Sequence, residues 1–335
     1  MNTGRGERVN LIPVSSPRQF LARIGTLLGR FHPPRLSPPV RSWLKLGAIL
    51  MALLMGLKAL AWLVPLPQEA LHRPTSTLVF DRDGQLLQAF ISADDMWRIQ
   101  TPLDCISPHL QQCLLGFEDR WFYRHQGVNP FALGRALVQN LRAGRIVSGG
   151  STITMQIARM MEPKRRTYLS KFWEVLRAFQ LELRYSKRQL LEIYYNIAPY
   201  GGNIEGVAAA AWLYFGKEPS QLSLGEAALL TALPNSPTAC RPDVNPGKAR
   251  TARNRILARL RRQGWISAAA YREALQEEIP IGREQLPRQA PHFCRDLHGD
   301  YPGQARIQTT LDRRIQSVAE DLLRLHLGQI GRAHV

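Results

Sequence analysis

Two short runs carry the residues best suited to chemistry. Glu118 to Gly127 read EDRWFYRHQG, and about twenty positions later Gly149 to Gln156 read GGSTITMQ. The first sets a carboxylate among aromatic residues. Partial desolvation by Trp121 and Phe122 is expected to raise the Glu118 carboxyl toward the range useful to a general acid or base. The second is a glycine-rich turn with hydroxyl side chains. Gly149 and Gly150 permit unusual backbone angles, and Ser151 is the expected N-cap of a helix whose first N–H groups favour an anion such as phosphate. Each run alone is equally compatible with plain structure, the first with a solvated helix end and the second with an ordinary turn.

Three further signatures follow in order. Arg166, Lys171 and Glu174 form a basic and acidic set; Ser186-Lys187 leads through Glu192 and Tyr195-Asn196 to the glycines Gly201 to Gly206; and Leu222 to Pro237 read LSLGEAALLTALPNSP. These five runs, spread over about 120 residues, resemble the family 51 peptidoglycan glycosyltransferases, the polymerising domains of class A penicillin-binding proteins. Met155, Cys240 and Arg241-Pro242 are most similar to the penicillin-binding protein 1C branch. The resemblance implies a lysozyme-like helical fold with a cleft between two lobes. It also implies lipid II as substrate, a disaccharide-peptide on undecaprenyl pyrophosphate, with the growing glycan strand as donor.

Inverting glycosyl transfer needs one carboxylate to take the proton of the attacking 4-hydroxyl while the leaving pyrophosphate is neutralised across the sugar. The resemblance assigns the base to Glu118 and the second catalytic carboxylate to Glu174. Glu174 then either orients Lys171 or holds a divalent ion on the phosphates. Pyrophosphate is a good leaving group, so cations matter more than a strong general acid. Arg159, Arg166 and Lys171 match the family's basic positions. Ser151, Thr152 and Gln156 are donors to phosphate or sugar, while Asp119 and His125 either touch substrate or fix the loop that carries Glu118. No cofactor is required by this scheme, and Mg or Mn on the pyrophosphate is the one ion the resemblance leaves open. The competing reading is a lysozyme-like hydrolase or lytic transglycosylase that cuts the same polymer with a single Glu. A hydrolase of neutral glycan has no use for a basic array, and a binding protein with a dead site would lack one carboxylate.

The elements that must position these residues are mainly helical. Residues 1–42 form a tail with seven Arg against Glu7, and residues 43–66 contain LGAILMALLMGLKALAWLV (46–64), interrupted only by Lys58 and long enough to cross a bilayer core of ~30 Å. The long stretch before it favours an anchor over a cleaved signal. The basic tail places the N-terminus in the cytoplasm and the remainder in the periplasm, as a single-pass protein of the bacterial inner membrane. Net charge +18 fits a membrane surface and a phosphate-bearing substrate, and this topology argues against nucleic acid. Other cell wall synthesis proteins are further expected partners. Cys105, Cys113, Cys240 and Cys294 lack CxxC spacing, and no particular disulfide follows.

Residues 67–104 are expected to form a pedestal in which Thr77 to Phe80 and Gln85 to Ile91 flank the turn Asp81-Arg82-Asp83-Gly84 of a β-hairpin. Residues 105–280 read as the helical glycosyltransferase domain. Its start signals are Asn129-Pro130, Ser186 with Gln189, Ser223 with Glu226, and Asn245-Pro246. A helix over Tyr168 to Arg184 puts Leu169, Phe172, Trp173, Leu176, Phe179 and Leu183 on one face and Lys171 with Glu174 on an opposite, polar face. Ala208 to Ala211 indicate close helix packing, Met155, Met160 and Met161 a core or membrane-facing position, and Arg255 with Arg259 a solvated basic face. Residues 281–335 are a linker in which Ile307 to Gln316 resemble the opening of a transpeptidase domain. No SxxK, SxN or KTG follows that segment, and the terminal QIGRAHV resembles translated sequencing adapter, so a truncated bifunctional parent is expected.

Overall fold

The computed structural model describes residues 45, 47–48, 51–52, 55–56, 59, 63–144, 149–165 and 167–333. The tail 1–42 and Arg166 lie outside the described residues, as does most of the apolar run 46–64. Among the described residues no helix is long and apolar enough to cross a membrane. The chain divides into two compact units, Met1–Gly56 and Leu57–Val335, and the elements that follow belong to the second.

Strands β1 (Thr77–Phe80) and β2 (Leu86–Phe90) pair antiparallel as the hairpin composition predicts. The turn closes because the Asp81 carboxylate accepts the N–H groups of Asp83 (2.9 Å) and Gln85 (2.7 Å). A short β3 (Trp97–Arg98) belongs to a second sheet. The remainder is mainly helical. Eleven α-helices follow among the described residues, beginning with α1 (Pro108–Glu118), α2 (Pro130–Ala143), α3 (Ile153–Met161), α4 (Tyr168–Arg184) and α5 (Lys187–Ile197). Strands β4 (Pro199–Gly201) and β5 (Ile204–Glu205) complete the second sheet in the order β3-β5-β4. Then come α6 (Val207–Phe215), α7 (Leu224–Ala232), α8 (Pro246–Arg262), α9 (Ala268–Gln276) and α10 (Pro291–Asp300), strand β6 (Arg306–Gln308), and α11 (Arg313–Ala333).

Two main clusters of buried side chains organise these elements, with a third around Leu176 and Phe179 of α4. The larger runs from Leu66 and the hairpin residues Leu78, Phe80 and Leu86 through α1, α3 and α5 to α9, with Ala208 to Ala211 buried as close packing requires and Met155 and Met161 buried. The smaller joins Val79 and Leu87 of the hairpin to Ala290, Cys294 and Ile307. It forms because β6 pairs parallel with β1, Val79 opposite Ile307, so residues at the far end of the chain return to the hairpin. A three-residue strand carries too little alternation to be read from sequence. The four cysteines are free.

The capping boxes at Ser186 with Gln189 and Ser223 with Glu226 are present, and the Asn129 side chain caps α2 by accepting from the Ala132 N–H at 3.0 Å. One cap differs from expectation. Thr152, not Ser151, caps α3: its Oγ1 accepts from the Met155 N–H (3.1 Å) and donates to the Gly127 carbonyl (2.5 Å). Helix α4 has the expected bounds, but its faces are not those that periodicity suggests. Leu169, Phe172 and Leu183 are exposed, whereas Lys171, Glu174, Ala178 and Leu181 share the flank with the spacing of a packing stripe. The reason is tertiary. Helix α3 packs along α4, so the small and polar flank carries contact with it while parts of the apolar stripe stay uncovered.

Buried charge ties the second sheet to α3. Arg98 and Glu205 are both nearly inaccessible and lie 3.1 Å apart, Arg98 also donates to Asp94, and Arg73 donates to Glu205 (2.8 Å) and to the Met160 carbonyl (2.9 Å) at the end of α3. Removing one partner of a buried pair strands the other charge. Glu205→Ala is therefore expected to cost about 3–5 kcal/mol and lower the thermal midpoint by several degrees, with Glu205→Gln milder because it keeps an acceptor. Calorimetry of the three proteins checks this, and equal midpoints would show that the cluster is dispensable.

Candidate active site

The first run of the sequence splits at the end of α1. Glu118 is the last residue of that helix, and Asp119, at φ −150 and ψ 79, turns the chain out of it. The Asp119 carboxylate is buried, where a charge must find donors. It finds two. His125 donates from Nε2 to both oxygens (3.0 and 2.9 Å), and the Ile153 N–H at the start of α3 donates to Oδ2 (3.2 Å). Gly127 sits at φ +81, and a β-carbon there would lie 2.9 Å from the Ala178 carbonyl of α4, so only glycine lets the three segments close.

That closure brings Gln156 to Glu118. The Gln156 Nε2 donates to Glu118 Oε2 (2.7 Å), and the Asn235 Nδ2 donates to Oε1 (2.6 Å) from the turn after α7. Both carboxylate oxygens are thus held by neutral amides. Trp121 and Phe122, expected to desolvate this carboxylate, pack elsewhere. Trp121 is half-exposed with the Arg124 guanidinium 4.5 Å from its ring centroid, and Phe122 is buried with Lys187 Nζ 4.4 Å from its ring. The helix break at Asp119 turns both rings away from Glu118. Phe117 and the fully buried Tyr194 are the aromatic neighbours instead. Burial pushes the Tyr194 hydroxyl well above its usual range, and the Glu118 charge acts in the same direction.

Glu118 opens into a cavity of about 470 Å³ whose walls include Ser151, Gln156, Arg159 and Asn235. Arg135, Arg255 and Arg259 line it as well; Arg255 stays exposed, as a solvated face requires, whereas Arg259 is half-buried, which corrects the expectation for that residue. Helix α8 packs against α1 and α7 and carries these side chains to the mouth of the site. Arg259 also stacks on Phe117, 4.9 Å from the ring centroid; burial depresses its guanidinium while the Glu118 charge opposes that shift. Nothing in single-sequence reasoning distinguishes Arg255 and Arg259 from the other arginines of α8. Asn235 stood inside the ALPNSP signature, which was the signal that could have found it.

The remaining candidates among the described residues sit around this cavity, not in it. Thr152 is the buried cap, and Asp119 with His125 forms the buried clasp. Lys171 Nζ donates to Ser151 Oγ and to Glu174 Oε2, both at 2.7 Å, so it meets the cavity through Ser151. Glu174 lies in a neighbouring small hollow with Glu162, Lys164 and Arg177. Two carboxylates surrounded by Lys164, Lys171 and Arg177 do not make the donor set of a divalent cation. Among the described residues no group of three or more His, Cys, Asp or Glu gathers elsewhere as a metal site.

A mainly helical chain that holds one carboxylate by neutral amides inside an arginine-lined cavity defines an enzyme-like site for an anionic substrate. The family model for Transglycosylase matches residues 83–261, which include Glu118, Gln156, Glu174, Asn235 and Arg259. Penicillin-binding protein 1C of Escherichia coli (strain K12) is 39% identical over 297 residues, covering 89% of this chain and 38% of that protein. Penicillin-binding protein 1A of Aquifex aeolicus (strain VF5) is 34% identical over 302 residues, covering 85% and 41%. The chain belongs to the Transglycosylase family, and it spans about two fifths of the length of these relatives. A crystal structure of penicillin-binding protein 1A from Haemophilus influenzae superimposes with a TM-score of 0.36 at 20% identity over 74% of this chain and 28% of that one, and the assignment does not rest on it.

The arginine lining predicts affinity for pyrophosphate itself. Charge-assisted hydrogen bonds contribute about 1.5–3 kcal/mol each, so Arg159→Ala and Arg259→Ala are each expected to weaken inorganic pyrophosphate binding at least about tenfold by calorimetry. Arg262→Ala, exposed on the same helix and outside the cavity lining, is expected to stay within about twofold. Equal losses in all three would mean that bulk charge attracts the anion.

Proposed function

We propose that this chain is a peptidoglycan glycosyltransferase that polymerises lipid II into glycan strands by inverting transfer from an undecaprenyl-pyrophosphate donor, within a lysozyme-like two-lobed helical domain. The observation that carries the reading is the pairing of one oriented carboxylate with cations that, among the described residues, form no ion pair with an acid. Glu118 takes the proton of the acceptor's 4-hydroxyl as that oxygen attacks the anomeric carbon. The bond to the pyrophosphate breaks on the opposite side of the sugar, and the departing negative charge is met by Arg159 and Arg259, with Arg135 and Arg255 further along the wall. Ser151, oriented by Lys171, supplies a hydroxyl to the phosphate or sugar.

Glu174 supports this site by holding Lys171 on Ser151, which favours the orienting role over a metal-holding one. The arginine lining is also what disfavours the hydrolase or lytic transglycosylase alternative, since a neutral glycan offers those cations no partner. Lipid II and the growing strand are the substrates in this reading, and the membrane is its setting. Exposed apolar side chains on α2 and α4, among them Phe131, Leu141, Leu169 and Phe172, suit a domain resting on a bilayer. We place the catalytic domain on the periplasmic side of the inner membrane behind the apolar run 46–64.

Glu118→Gln is the direct test. A neutral amide of the same shape accepts no proton, so the rate of lipid II polymerisation in detergent is expected to fall about 10²-fold or more with an unchanged thermal midpoint. Retention of more than about a tenth of the wild-type rate removes Glu118 as the base. Release of fragments from preformed peptidoglycan by the wild type, without polymerisation of lipid II, favours the hydrolase.

A further inference from the structure

We infer that Asn235 is a positioning residue for the base, the element that aims Glu118 at the acceptor hydroxyl and keeps the surrounding arginines available to the leaving group. The inference rests on the polymerase reading above. Its grounds are geometric. Asn235 ends the 3-10 turn Leu233–Asn235, whose Pro234 restricts the backbone, and its Nδ2 reaches Glu118 Oε1 at 2.6 Å across 117 positions of sequence. Gln156 occupies the other oxygen from α3. The two donors come from different elements and grip opposite ends of one carboxylate, which defines the plane of the group as well as its position.

The chemistry of the donors matters as much as their placement. Glu118 shares its cavity with Arg135, Arg159, Arg255 and Arg259, any of which carries the bidentate fork that captures carboxylates. Yet among the described residues no ion pair joins Glu118 to a cation, although Arg73, Arg98, Arg177, Arg241 and Arg283 all pair with acids elsewhere. A carboxylate locked to guanidinium is a weaker base, and the guanidinium so engaged is lost to phosphate. Amide N–H groups satisfy one lone pair on each oxygen without adding charge, and a carboxylate oxygen keeps a second lone pair for the incoming proton. Asn235 is also exposed, so its side chain contributes little to the core and its loss acts at the site.

The test compares Asn235→Leu, which keeps the shape and removes the donor, with Asn235→Gln, which keeps a donor on a longer arm. For Asn235→Leu, kcat for lipid II polymerisation is expected to fall about 10–100-fold, as for other outer-shell partners, with KM within about threefold. Asn235→Gln is expected to recover most of kcat. A kcat within about twofold of wild type in Asn235→Leu, or a loss confined to KM, overturns the proposal. A substrate-free arm separates this from failure of the functional reading. In a crystal structure of Asn235→Leu the Glu118 carboxylate is expected to leave its wild-type orientation, whereas in Asn235→Gln it is expected to keep it. An unmoved Glu118 in Asn235→Leu overturns the role of Asn235 even where the wild type polymerises, whereas a wild type inactive on lipid II overturns the polymerase reading and leaves the crystal structures to decide Asn235.

Discussion

The buried carboxylate of Asp119 is the constraint on which the site depends. A charge removed from water must collect donors, and the two within reach belong to segments that are otherwise independent, the loop ending at Gly127 and the first turn of α3. Satisfying Asp119 therefore docks α3 beside the end of α1. Gln156 then arrives at Glu118 one turn later along α3. Thr152 reinforces the junction by capping α3 with one side of its hydroxyl and holding the Gly127 carbonyl with the other. Because Gly127 in turn lies against the backbone of α4, the same junction brings Lys171 to Ser151.

Several carboxylates that hold structure are paired with cations: Glu162 with Arg177, Glu182 with Lys187, Glu205 with Arg73 and Arg98, Asp243 with Arg241 and Arg283. The carboxylate in the cavity is held by amides alone among the described residues. Among the described residues the cations on the cavity wall likewise form no ion pair with an acid. Opposite signs thus face a common space without cancelling, which is the condition for taking a proton at one end of a substrate and receiving negative charge at the other.

Several signature residues that look chemical serve as ties. Glu182 accepts from Thr154 of α3 (2.6 Å) and Lys187 of α5 (2.7 Å), joining three helices at one carboxylate. Glu192 accepts the Leu103 N–H, and the Asn196 side chain both accepts from and donates to the backbone of Thr101, so α5 secures the segment that leads into α1. Glu226 completes its capping box and takes Lys217 as well. Their shared property is a polar group buried where only one partner geometry satisfies it.

The sequence alone determined the local features. The hairpin, the capped helix starts, the bounds of α4, the buried alanines of α6 and the identity of Glu118 and Gln156 as candidates were all legible, because turn chemistry, capping and periodicity act over a few residues. Tertiary structure decided what each side chain faces. It moved Trp121 and Phe122 away from Glu118, placed Lys171 and Glu174 on the flank against α3, drew Arg259 from a solvated face into the cavity wall, and closed the hairpin sheet with β6. Asn235 shows the reason most plainly. Its partner lies 117 positions away, and a contact at that range is set by how helices pack, which no local pattern encodes.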